Sequence, residues 1–374
     1  MHGHKIDRRR FLRSSMTAGA FLVGSHALRE PGLVALADEK RRFAPVKVSR
    51  DRLIRTVVGL RPYRPEGFVV KAERLGEKLI VHNYGHGGAG ITLSWGTSAL
   101  AVELAREAAG TRFAILGCGV MGLSTARLLQ RRGGAVTIYA RELPPETTSN
   151  IAGGLWLPTS LYNQQRVSPQ FLEQFKRACQ ISNRAFQLLM GSEYGVRWIE
   201  TFELQRELAP LEREMAGGNE LYPATEIHKD AKRYFGFPFV KQFSTILIEP
   251  SVYLNALLRD FYIAGGRVVV KEFRSREEIA ALTEPVIFNC TGLGARNLFN
   301  DEILVPVRGQ LEVLLPQPEI DYCYLTREPY MFPRRDGIIL GGTWERNRWQ
   351  LEPDAEQITG ILDAHAEIMK GLRR

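Results

Sequence analysis

Thr111-Arg112-Phe113-Ala114-Ile115-Leu116-Gly117-Cys118-Gly119-Val120-Met121-Gly122 is the stretch that decides the fold. It opens as a short apolar run, breaks at a glycine turn, and continues through Leu123–Leu129 with apolar residues at helical spacing. After Gly133-Gly134, the run Ala135-Val136-Thr137-Ile138-Tyr139-Ala140 reads as a second strand. Strand, G-x-G-x-x-G turn, helix and strand within about 30 residues form a dinucleotide-binding unit. Gly117 permits the tight turn and Gly119 lets the backbone approach a pyrophosphate. Gly122 lets the helix pack on the strand, so that its first N–H groups, with those of Val120 and Met121, face the phosphates. A ribose-binding acid should close the second strand. Arg141 and Glu142 stand there; Glu142 suits the ribose hydroxyls, whereas Arg141 suits a 2′-phosphate. This unit alone leaves NAD, NADP and FAD open.

Outward from it, the chain has 374 residues, 44% hydrophobic and 24% charged, which suits two packed domains and excludes disorder. The formal net charge is +9, of which +4 falls in residues 1–37; the rest is spread without a basic block, so nucleic-acid binding is not expected. There is no apolar run long enough to cross a membrane. Cys118, Cys179, Cys290 and Cys323 lie far apart without C-x-x-C spacing and are read as buried free thiols. His82 and His86 are four residues apart, but the glycine-rich run around them is not helical and offers no acidic third ligand; no metal site is expected.

The N-terminus looks like an address. Asp7-Arg8-Arg9-Arg10-Phe11-Leu12-Arg13 resembles the twin-arginine export motif, followed by a mildly apolar stretch, Ser14–Leu28, and by Ala35-Leu36-Ala37 as a peptidase site. Residues 1–37 are therefore expected to be a signal peptide, recognised by the twin-arginine machinery, with the mature protein periplasmic or secreted.

Further strings carry a resemblance. Glu142-Leu143-Pro144-Pro145-Glu146-Thr147-Thr148-Ser149-Asn150-Ile151-Ala152-Gly153-Gly154-Leu155-Trp156 resembles the flavin loop of the D-amino-acid oxidase family. Val286–Gly292 is similar to the family's strand ending in N-C-T-G. Val81-His82-Asn83-Tyr84-Gly85-His86-Gly87-Gly88-Ala89-Gly90-Ile91-Thr92 is similar to its signature nearly letter for letter, and Gly59-Leu60-Arg61-Pro62-Tyr63-Arg64-Pro65 to its G-x-R-P-x-R-P run. Arg308-Gly309-Gln310, Tyr330–Pro333 and Leu340–Trp344 follow in family order. The Val81–Thr92 signature and the Gly59–Pro65 run stand near the C-terminus in that family but precede the nucleotide unit here. A circular permutation accounts for this, with a helix at 98–109 joining the old ends and new ends opening before a strand at 51–58. An extra copy of 44–109 is the alternative.

The resemblance implies an α/β fold: a Rossmann-like FAD-binding domain interleaved with a mixed-sheet substrate domain. Residues 44–60, 78–158 and 245–300 are assigned to the first, 61–77, 159–244 and 301–353 to the second, and 354–374 to a C-terminal helix. It implies FAD as cofactor. Thr147, Thr148 and Ser149 would take its polar portion, Gly153, Gly154, Leu155 and Trp156 its ring, with Cys290, Thr291, Phe273 and the backbone of Gly87, Gly88, Ala89, Gly90, Ile91 and Thr92 around it. It implies oxidation of D-amino acids by hydride transfer from Cα to flavin N5, with oxygen reduced to hydrogen peroxide and the imino acid hydrolysed to a keto acid and ammonia. Arg61 and Tyr330 would clamp the carboxylate, and the Gly88 carbonyl would accept from the amine. Glycine- or sarcosine-oxidase-like amine oxidation, a dehydrogenase with a membrane acceptor, and a non-catalytic flavin protein are the competing readings; a homo-oligomer is compatible with all. Arg64 is expected to be structural. Thr326 stands where many members carry a lid tyrosine, and Trp344 where D-aspartate-specific members carry arginine, which favours an apolar or aromatic side-chain pocket, although Arg327 could serve an acidic substrate if the short lid folds inward.

Overall fold

The computed structural model describes residues 43–108, 111–232 and 234–372. The expected signal peptide lies outside the described residues. Two sheets organise the rest.

The six-stranded sheet runs in the order Val69–Leu75, Lys78–Tyr84, Val286–Asn289, Arg112–Leu116, Ala135–Ala140, Arg267–Val270. Its first pair is antiparallel and the others are parallel. Parallel strands are covered on both faces and so read as continuous apolar runs, as Val286–Asn289, buried throughout, does. Helix Val120–Gln130 joins Arg112–Leu116 to Ala135–Ala140, as the glycine pattern demands.

The nine-stranded sheet has the order Leu53–Tyr63, Val305–Leu314, Gly337–Gly341, Tyr330–Arg334, Tyr322–Leu325, Val196–Gln205, Phe239–Ile248, Glu226–Lys229, with Glu345–Arg346 added to Val305–Leu314. Helix Ala355–Leu372 packs its Ile361, Leu362, Ile368 and Met369 against the buried residues of this sheet, together with Val46.

Several expected boundaries move. Residues 44–60 were assigned to the nucleotide part, yet Leu53–Tyr63 pairs along its length with Val305–Leu314. Val69–Leu75, assigned to the substrate part, pairs with Lys78–Tyr84, and Phe239–Ile248 runs wholly in the larger sheet. The expected strand at 51–58 extends to Tyr63. The helix expected at 98–109 instead spans Gly90–Leu104. Its residues from Ile91 to Ser98 are all buried, so no polar face marks its first half in the sequence.

Candidate functional site

The turn after Arg112–Leu116 takes the form its glycines allow. Gly117 has φ +104°, and a Cβ there would lie 2.6 Å from the Cys290 carbonyl oxygen. A Cβ on Gly122 would lie 2.0 Å from the Gly117 carbonyl oxygen, so only glycine lets the helix sit this close to the turn. A Cβ on Gly119 would meet nothing but the Ser149 hydroxyl, at 3.1 Å, which leaves that face open. The Val120 N–H donates to Ser149 Oγ at 3.0 Å. The N–H groups of Met121 and Gly122 begin the helix and have no intrahelical acceptor.

A cavity of about 660 Å³ opens beside this helix end. Val120, Met121, Thr148, Ser149, Gly153, Gly154 and Leu155 line one wall, and Gly87, Gly88, Gly90, Ile91 and Thr92 another. The two strings that stand in unexpected order thus share one site. Thr97 and Ser98 tie their helices together, donating to Met121 Sδ (3.6 Å) and the Met121 carbonyl (3.4 Å).

Other expected cofactor contacts stand off this cavity. Trp156 is fully buried; its ring packs at 5.7 Å from that of Tyr222, and its carbonyl accepts from Thr245 Oγ1. The strand-like turn at Leu155 sends successive side chains to opposite faces, so Leu155 faces the cavity and Trp156 the core. Phe273 is buried edge-on to Tyr139 at 5.9 Å, within a cluster on the outer face of the six-stranded sheet. Ala89 is buried. Thr147 donates to Asn150 Oδ1 at 2.8 Å. Cys290 and Thr291 abut the Gly117 turn, with Thr291 Oγ1 bonded to Asn289 Oδ1 at 2.7 Å. Arg141 and Glu142 form an exposed pair at 2.9 Å, shared with Glu272 at 3.1 Å.

Arg61 enters the same cavity from the end of Leu53–Tyr63, and Tyr330 from the start of its own strand. Their facing atoms are 3.4 Å apart, Arg61 NH2 donating to Tyr330 Oη, while NH1 reaches the Thr343 carbonyl at 3.4 Å. The guanidinium carbon lies 5.4 Å from the Trp344 ring centre. Among the described residues no carboxylate is within 4 Å of it. Two glycines make room for this pair, and nothing local to either singles it out. A Cβ on Gly309 would lie 2.1 Å from Arg61 NH1, and one on Gly341 would lie 2.1 Å from Tyr330 Cζ. Their only signal is position within Arg308-Gly309-Gln310 and Leu340-Gly341-Gly342. Gly88 is exposed to the cavity, its N–H bonded to the Ser160 carbonyl at 3.0 Å.

The profile of the family of FAD dependent oxidoreductases matches residues 112–374. The chain belongs to this family. It is 30% identical over 272 residues to the D-amino acid oxidase of Dugesia ryukyuensis, covering 69% of this chain and 78% of that one. It is 34% identical over 263 residues to the D-amino-acid oxidase of Rubrobacter xylanophilus (67% and 75%), and 30% identical to human D-aspartate oxidase (67% and 74%). Among solved structures, glycine oxidase from Bacillus cereus superposes with a TM-score of 0.53 at 16% identity, over 71% of this chain and 79% of that one, which shows a shared fold. The chain is thus an FAD-dependent oxidoreductase of the D-amino-acid oxidase type, and the open cradle at Gly119, the uncapped helix N-terminus and the adjoining cavity fit that cofactor.

Among the described residues no group of three or more His, Cys, Asp or Glu side chains is placed to hold a metal ion. His86 stacks on Phe68 (5.3 Å, 12°) and bonds Thr97 Oγ1 through Nε2 at 3.0 Å; burial lowers its pKa to about 3. His82 is also lowered, to about 4, by burial. All four cysteines are free and buried, as expected. Arg64 pairs with Asp301 at 2.9 Å, the structural role expected of it. The strand pair at the lid is joined by Thr326–Pro329 alone, with Thr326 N–H bonded to the Pro329 carbonyl at 2.8 Å. The cavity's lining mixes apolar and charged residues. Leu155, Leu157, Leu311, Leu325 and Phe332 line the cavity, as do Glu203 and Lys241.

Proposed function

We propose that this flavoenzyme oxidises free D-amino acids to imino acids, which water converts to keto acids and ammonia, with oxygen reduced to hydrogen peroxide. The observation that carries the reading is the unpaired Arg61 guanidinium, in hydrogen-bond reach of the Tyr330 hydroxyl and in one cavity with the nucleotide-helix N-terminus. A planar fork with no carboxylate of its own suits the carboxylate of a substrate. Bound FAD supplies the two-electron acceptor. The chain's residues bind and orient: Arg61 and Tyr330 hold the carboxylate, the Gly88 carbonyl receives the amine's hydrogen bond, and Leu155, Leu311 and Phe332 exclude water. D-stereochemistry rests on the similarity to the D-amino-acid and D-aspartate oxidases. A peroxide-coupled screen of paired D- and L-amino acids tests it, alongside bleaching of the yellow protein without air. Turnover of L-isomers, or of amines lacking a carboxylate, at equal efficiency would overturn it.

The chain order is read as a circular permutation. In support, the family match begins at Arg112, and residues 53–63 form the edge strand of the nine-stranded sheet while 78–84 form a strand of the six-stranded one. The Val46 N–H also lies 3.2 Å from Met369 Sδ, so the segment before the first strand sits against the last helix. Reordering the gene to start near Thr111 and joining 372 to 46 should give a folded, yellow, active enzyme; an insoluble or colourless product would count against it. Export by the twin-arginine route to the periplasm or exterior rests on Arg8-Arg9-Arg10 and Ala35-Leu36-Ala37. Its check is the N-terminal sequence of the exported protein, which should begin near Asp38.

A further inference from the structure

Glu203 lies on the cavity wall beyond Tyr330, and the register of four strands puts it there. Tyr330 pairs with Leu325, Leu325 with Glu203, and Glu203 with Lys241. Residues in one register row share a face of the sheet, and all four line the cavity. Glu203 is therefore two strand spacings, roughly 10 Å, from Tyr330. A four-carbon side chain with an ammonium at its end spans that interval when its α-carboxylate rests on Arg61.

The Glu203 carboxylate is poorly satisfied. Its one hydrogen bond is a long one from Gln205 Nε2, 3.4 Å, and no Lys, Arg or His nitrogen among the described residues is within 4 Å. Burial pushes its pKa up, and Lys241 pulls it down. Lys241 is 3% exposed and turns its ammonium to the Arg213 carbonyl (3.2 Å) and Met215 Sδ (3.7 Å), so it is already engaged. The remaining charges on the wall, Arg213 and Arg327 against Glu214 and Glu328, are exposed and balanced in sign. The under-satisfied group that a ligand can reach is the carboxylate.

We infer that Glu203 is a specificity-determining residue that selects amino acids whose side chain ends in a cation, of which D-lysine is the probe. This rests on the proposed amino-acid oxidase reading and sharpens it. Specificity of this kind is a difference between two substrates in one site. The informative pair is therefore D-lysine and D-norleucine, which differ only by the terminal ammonium. The wild-type holoenzyme should favour D-lysine in kcat/KM by tenfold or more, and Glu203→Gln should bring that ratio below about threefold. Because both substrates use the same site, the ratio is insensitive to general damage. An equal or reversed preference in the wild type overturns the inference, as does a ratio unchanged in Glu203→Gln. So does a preference for D-glutamate over D-glutamine that Lys241→Met abolishes, since that assigns the wall to the lysine. If no amino acid bleaches the bound flavin, the oxidase reading itself fails; if D-norleucine does and D-lysine has no advantage, only this inference fails.

Discussion

The two ends of the cavity are made of different material. At the nucleotide end the working surface is backbone: the Gly117–Gly122 turn, the helix N–H groups behind it, and the Gly87–Gly90 run, supported from below by buried His86. At the substrate end it is side chain: Arg61, Tyr330 and, farther on, Glu203 and Lys241, each from a different strand of the nine-stranded sheet. A backbone surface depends on the absence of Cβ atoms and fails all at once when one is added. A side-chain surface can lose members singly, and each loss reports on one part of the substrate.

The most severe way to break the backbone end is Gly122→Val. The new Cβ would lie 2.0 Å from the Gly117 carbonyl oxygen, a backbone atom that cannot swing aside. The variant should be recovered colourless or insoluble, read by absorbance of the purified protein; a yellow protein of normal yield would show that the turn tolerates displacement.

At the other end, Arg61→Ala should leave the protein yellow. Removing one partner of a buried charge pair costs roughly 2–5 kcal/mol, so kcat/KM for D-amino acids should fall by about 30-fold to several thousand-fold. Arg61→Lys should recover only part, because a point charge cannot make two parallel bonds. Steady-state kinetics with carboxylate-free amines as controls check this, and an unchanged kcat/KM in Arg61→Ala removes the clamp.

A smaller effect, common to both ends, is read by pH. His86 and His82 have pKa values lowered by burial to about 3 and 4, below the unfolded value near 6.5. Unfolded chains bind those protons first, so the stability these groups contribute is full above pH 6.5 and is lost progressively below it, toward the folded values. His365, lowered to about 4 beneath Gly341, acts in the same sense under the other sheet. The melting temperature should drop by several degrees between pH 7 and 5, where exposed carboxylates remain ionised. His86→Asn, measured by scanning fluorimetry, should flatten that slope; an identical slope would place the acid sensitivity elsewhere.

How much of this was readable before the structure follows from the same contrast. A glycine turn is local: Gly117, Gly119 and Gly122 lie within six residues, and the strand and helix flanking them are short-period patterns, so the nucleotide unit could be read from the chain directly, whereas FAD came only through the resemblance of the Glu142–Trp156 loop. Arg61 and Tyr330 were legible through the family strings that contain them, not through any local physics of R-P or Y-M-F-P. Trp156 stands off the cavity because neighbours in an extended string alternate in facing, and only packing shows which one turns inward. The helix Gly90–Leu104 was seen only in its second half, since a helix buried all round has no amphipathic signature.

Sequence alone therefore determined what short-range sterics and periodicity encode: a dinucleotide turn, apolar parallel strands, glycines with no tolerable side chain, and the order in which the family's strings occur. Tertiary structure decided what depends on strand register. Tyr330, Leu325, Glu203 and Lys241 come from separate strands, with 126 residues between Glu203 and Tyr330. Only hydrogen-bond pairing across the sheet sets them side by side, because register is chosen by burial of a whole face and by long-range pairing rather than by any one strand's own residues.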